Sequence, residues 1–200
     1  TLTVGGKATI GSSQTNSGTL AFIGGGSSNS NSGYHGFLGA GCGNTLSGGY
    51  SSLVGGKNNT VSGYYSAITE GTNNTAASFY SFIGGGQNNC VTAGFGTGNR
   101  FIGGGSKNCT TGTFASIVGG CLNTGSGACG FIGGGSCNVV CSNEGSIVGG
   151  FKNYVCGNQA SVVGGIINSA SAFGSFVGGG CRNIAGGSNS VVVGGFCNSA

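Results

Sequence analysis

Two hundred residues with fifty glycines, no proline, methionine or tryptophan, and six Lys or Arg against two acids exclude an ordinary globular domain, whose usage is far more even. The net charge of +4 reflects missing acids more than gathered bases, so a nucleic-acid interface lacks a basic face. The longest apolar runs fall well short of the roughly 18 residues of a membrane span, and the glycines do not recur at every third position as collagen requires.

In chain order, residues 1–9 read as a lead-in strand. From Ile10 the chain repeats. With position 1 set at each aliphatic residue that precedes the glycines, the units start at Ile10, Ile23, Leu38, Leu53, Ile68, Ile83, Ile102, Ile117, Ile132, Ile147, Val162, Val177 and Val192. Their spacing is 15 except for a first step of 13 and one of 19. Position 4 is glycine in every unit from Gly26 to Gly195. Position 7 is asparagine at Asn29, Asn44, Asn59, Asn74, Asn89, Asn108, Asn123, Asn138, Asn153, Asn168, Asn183 and Asn198. Such a unit is too short for a helical hairpin and suits one turn of a solenoid, two short strands joined by two glycine-rich corners. Glycine supplies positive φ at a corner, asparagine tolerates it, and stacked asparagines can bond along a ladder. The expected fold is therefore all-β: a single-domain parallel β-solenoid (β-roll) of about thirteen 15-residue coils over residues 10–200.

The first strand of each coil covers positions 14, 15, 1 and 2. Positions 15 and 2 share one face. Wherever position 15 is Phe, position 2 is Gly, as in Phe22/Gly24, Phe82/Gly84 and Phe131/Gly133. Elsewhere position 2 is β-branched, as in Ser52/Val54, Ser116/Val118 and Ser146/Val148. Constant filling is what a close-packed interior demands, which places this face in the coil core. Position 1, always aliphatic, then points outward. An aliphatic row should not face water, so Ile83, Ile102, Ile117, Ile132 and Ile147 are expected in a seam between identical chains. The inverse assignment, with position 1 in the core and positions 15 and 2 at the seam, is the alternative.

The 19-residue unit carries a four-residue insertion near 93–100, expected to loop outward. Phe95 and Arg100 there, with Tyr64, Tyr65 and Tyr80 near a corner, are candidate glycan contacts. Of the ten cysteines, Cys141 with Cys156 and Cys90 with Cys109 share a column in adjacent coils. They fit either small buried residues or cross-coil disulfides. Without a C-x-x-C pair, and with one histidine, His35, no metal site is expected. Nor is an enzyme or a cofactor: Asp is absent, and Glu70 and Glu144 lie too far apart to act as an acid–base pair. Lys107, Lys152 and Arg182 share position 6 as a sparse basic stripe that solubility explains. An ice-binding face needs an unbroken hydroxyl ladder, and position 8 breaks its Thr run with Cys, Val, Tyr and Ile.

Units such as Ser81-Phe-Ile-Gly-Gly-Gly-Gln-Asn-Asn89 and Gly145-Ser-Ile-Val-Gly-Gly-Phe-Lys-Asn153 resemble the head repeats of YadA-like trimeric autotransporter adhesins, and similar repeats occur in phage and giant-virus fibres. The opening Leu2-Thr-Val-Gly-Gly-Lys-Ala-Thr-Ile-Gly11 looks like the lead-in of such arrays. The resemblance implies a left-handed β-roll, three chains side by side and a virion or cell surface. The adhesin head repeat is usually a residue shorter and poor in cysteine, and ten thiols suit assembly in a reducing cytosol, so a virion fibre is favoured. The expected function is thus a structural shaft or head segment of a homotrimeric surface fibre, a piece of a longer protein. Its partners are identical chains and a host-surface glycan or receptor, without nucleic acid or membrane insertion. A glycan-binding, lectin-like rod is the alternative, and an ice-binding solenoid a more distant one.

Overall fold

Two left-handed residues and one invariant glycine per coil turn the chain twice in fifteen residues, and this sets the architecture. The computed structural model describes residues 8–92 and 98–200. It is all-β, a parallel β-solenoid of about twelve coils built from strands of two or three residues. The coils fall into two compact units, an N-terminal one containing residues 8–92 and a C-terminal one running from Arg100 to Ala200.

In the N-terminal unit, the first sheet runs from Ala8–Thr9 through Phe22–Ile23, Phe37–Leu38, Ser52–Leu53 and Ala67–Ile68 to Ser81–Ile83. The second runs from Thr15–Asn16 to Cys90–Val91. In the C-terminal unit the first sheet runs from Arg100–Ile102 to Val191–Val192 and the second from Cys109–Thr110 to Ile184–Ala185. Neighbours pair in parallel with equivalent positions aligned, Ile117 on Ile132 and Val140 on Val155. The first coil is a correction. Thr9, not Ile10, aligns with Ile23, so Ile10 falls one place later and is exposed.

Position 6 holds non-glycine residues at positive φ, among them Asn58 (55°), Lys107 (56°) and even the β-branched Ile167 (57°). Position 13 does the same with Tyr50 (53°), Tyr65 (55°) and Gln159 (59°). Each such residue costs about 1–2 kcal/mol. The offset is a coil-to-coil bond: the flipped amide donates backward, Asn58 N–H to the Cys42 carbonyl at 2.9 Å and Tyr65 N–H to that of Gly49 at 3.0 Å. Amides flanking the strands reach forward, as from Val118 to the Ile132 carbonyl at 2.9 Å. Position 4 admits no side chain at all. At Gly120, with φ 90°, an added Cβ would fall on the carbonyl oxygen of Gly135.

The position-7 asparagines form a buried ladder inside that corner. Asn123 Nδ2 donates to the carbonyls of Gly119 and Gly135, both at 3.0 Å, while its Oδ1 accepts the N–H of Asn138 at 3.0 Å. The pattern repeats in both units, and Gln14 takes the asparagine place in the first coil, accepting the Asn29 N–H at 3.0 Å. From Asn29 to Asn183 these side chains are almost fully buried, so each satisfies backbone groups that a tight corner would otherwise strand.

The core lies between the two sheets of each coil. Ile83, Ile102, Ile117, Ile132 and Ile147, expected in a seam, are fully buried within the single chain. Facing them is position 9: Val61, Ala76, Val91, Val140 and Val155 are equally buried. An added Cβ at Gly125, also position 9, would sit 3.7 Å from Ile117 Cγ1. The complementary pairs at positions 15 and 2 lie on the outside instead. The Phe rings lie down across the next-but-one residue, so a Cβ at Gly24 would be 3.0 Å from Phe22 Cε1, and one at Gly133 3.5 Å from Phe131 Cε1. Same-face neighbours compensate in size wherever they touch, in a core or on a surface. That is why the pattern pointed to the wrong side.

Candidate interaction surfaces

With position 1 inside, the outer face of the first sheet becomes the main apolar surface. Glycine at position 2 lets each Phe ring lie flat, and Val, or Thr69 in one coil, fills position 2 where Phe is missing. In the C-terminal unit this face exposes Phe101, Val118, Phe131, Val148, Val163 and Val191, each by more than a third. In the N-terminal unit, Phe22 and Phe37 stack with centroids 5.5 Å apart, followed by Val54 and Phe82.

The corner at positions 12 and 13 of the N-terminal unit carries an aromatic edge. Left-handed backbone at position 13 directs successive side chains outward at the coil repeat. His35, Tyr50, Tyr65 and Tyr80 form one column with centroids 5.2–5.3 Å apart and planes within 6–9°. Tyr34 stands edge-on to His35 and Tyr50, and Tyr64 stacks on Phe79 at 5.6 Å. Gly49 leaves a gap that Tyr64 covers, since a Cβ there would be 2.5 Å from its Cε1. The Tyr50 phenol is held above its usual pKa by desolvation, and further by Tyr34. The candidates Tyr64, Tyr65 and Tyr80 are thus gathered on one exposed edge, but their ring faces are largely spent on one another. Edges and hydroxyls remain for a partner.

Arg100 is not on that surface. It occupies position 14, an inward place held by Ala115 and Gly130 in the next two coils. Only 1 % of it is exposed, its Nε donates to the Thr111 carbonyl at 3.3 Å, and burial lowers its pKa. A glycan contact through Arg100 is therefore excluded. Phe95, and the tip of the insertion with it, lie outside the described residues. Of the basic stripe, Lys152 sits over the Phe151 ring at 5.1 Å.

The outer face of the second sheet has no single unbroken column over the whole chain, and its pattern emerges only when two columns of one unit are taken together. Positions 8 and 10 together give the N-terminal unit two ranks of hydroxyls: Thr15 and Ser17, Ser30 and Ser32, Thr45 and Ser47, Thr60 and Ser62, then Thr75. All are exposed or half-exposed. The same face of the C-terminal unit is broken by Val139, Tyr154 and Ile184. There it carries the Cys141–Cys156 disulfide, with Cα atoms 5.0 Å apart. Among the described residues no helix is long and apolar enough to cross a membrane. No family model matches the chain, and no curated protein matches it significantly.

Proposed function

We propose that this chain is a rigid shaft or head segment of a surface fibre, assembled from identical chains and displayed on a virion or cell. The observation that carries the proposal is the outer face of the first sheet, a row of Phe and Val left open by a core already filled within one chain. Exposed apolar rows of this length mark contact surfaces, and covering the half of each side chain that remains exposed contributes roughly 1 kcal/mol. Identical chains are the economical partner because the alternation of Phe/Gly with Ser/Val recurs on this face at the coil repeat of each unit. Three chains side by side is what the likeness to YadA-like heads implies. Light scattering on the full chain is the test. Val118→Asp with Val148→Asp should reduce the assembly to monomers that keep their β-sheet circular dichroism. A wild-type chain that stays monomeric at tens of micromolar would end the proposal.

A second function is favoured by the hydroxyl ranks of the N-terminal unit. Hydroxyls repeated in register at the coil spacing of a parallel sheet are suited to ordering water at an ice surface. Thermal hysteresis that disappears in Thr45→Lys and Thr60→Lys would establish it.

A further inference from the structure

Cysteine is sparse in the N-terminal unit and patterned in the C-terminal one. Beside the joined Cys141 and Cys156, a second relation recurs there, and it runs diagonally between columns. Cys121 and Cys181 hold position 5, and in each case the next coil has cysteine at position 6, Cys137 and Cys197. The backbone ties both pairs directly. Cys137 N–H donates to the Cys121 carbonyl at 2.9 Å, and Cys197 N–H to the Cys181 carbonyl at 3.0 Å. Adjacent coils lie about 4.8 Å apart and consecutive Cα atoms about 3.8 Å, so a partner one residue off register sits roughly 6 Å away, inside the range a disulfide spans.

The side chains are also suitably placed. Ser136 stacks on Cys121 in the position-5 column, and its Oγ lies 3.5 Å from Cys137 Sγ. The position-6 thiol therefore rests against the column that contains Cys121. None of the four thiols is buried: Cys197 is exposed and the others partly so. The N-terminal unit has no counterpart, because Cys42 at position 5 is followed by Asn58 at position 6.

We propose that Cys121–Cys137 and Cys181–Cys197 close as diagonal disulfides under oxidising conditions, stapling successive coils of the C-terminal unit. With oxidised glutathione as oxidant, the Cys137 thiolate attacks one glutathione sulfur and expels a glutathione thiolate. The Cys121 thiolate then attacks the Cys137 sulfur of the mixed disulfide and expels the second. Two protein thiols become one cystine and one oxidised glutathione becomes two reduced molecules, so protons and electrons balance. The same exchange serves Cys181 and Cys197.

The test uses the full chain, held in reduced or oxidised glutathione, alkylated, and digested without reduction for mass spectrometry. Cleavage after Phe131 separates Cys121 from Cys137, and cleavage after Arg182 separates Cys181 from Cys197. The oxidised sample should yield both linkages, each lowering the mass by about two hydrogens, with the Cys137 peptide also carrying Cys141 and its link to Cys156. Cys121→Ser should leave Cys137 alkylated while Cys181 and Cys197 stay linked. Alkylated thiols at all four positions after oxidation, linkage in other combinations or between chains, or loss of the β-sheet signal on oxidation would each overturn the proposal.

Discussion

The two units share their inner columns and differ in their outer ones. Asn59 and Asn123 make the same bonds in different units, and Ile68 and Ile117 are equally buried. Yet the corner that presents Tyr50, Tyr65 and Tyr80 in one unit presents Cys129, Glu144 and Gln159 in the other. The hydroxyl ranks of the first are matched by Val139, Tyr154 and a disulfide in the second. Inside, closing a fifteen-residue circuit leaves few choices. Outside, the backbone places no demand, so divergence there records what each unit meets.

The largest effect expected is common to both units. Asn59→Ala and Asn123→Ala each strand one corner carbonyl, that of Gly55 or Gly119, and the buried N–H of the next asparagine, and remove one of the two bonds to Gly71 or Gly135. The loss should be about 3–5 kcal/mol at either site, read as lost amide-exchange protection in the unit that carries the change. A much smaller loss in one unit would show that the ladders are not equivalent. Next comes the disulfide. Cys141→Ser should destabilise the C-terminal unit by about 3 kcal/mol, the loop-closure value for 15 residues, leaving exchange in the N-terminal unit unchanged. Smaller is the aromatic edge. Tyr65→Ala breaks two stacked pairs at about 0.5–1.5 kcal/mol each, whereas Gln159→Ala at the equivalent place should fall within 0.5 kcal/mol of wild type. The smallest effect of all is expected at Gly119→Ala, which meets open space and should be nearly silent, although Gly120→Ala beside it should disrupt its corner. Thermal denaturation of the pair checks both.

The coil length, the corner glycine and the asparagine column could be read from the sequence because each is a position that admits one residue type. Which strand face is inside could not. Position 1 is aliphatic as a core position should be, but positions 15 and 2 show the size compensation usually associated with packing. The choice turned on position 9, where Leu46, Val61, Val91, Val140 and Val155 supply the opposing wall. That column is interrupted by Asn31, Thr110 and Gly125, which hid it. Position 14 was a further signal, small in nearly every coil because the corner closes over it. Arg100 is the exception, and reading it as a surface residue followed from its place beside the insertion.

The register has a mechanical consequence. Bonds that join each coil to the next along the axis are loaded one coil at a time when the chain is pulled from its ends, like a zip rather than a rivet. Every coil that lets go within a unit should lengthen the chain by about 50 Å, fifteen residues at nearly full extension. A closed Cys141–Cys156 link withholds one such increment, and reduction returns it to the force trace.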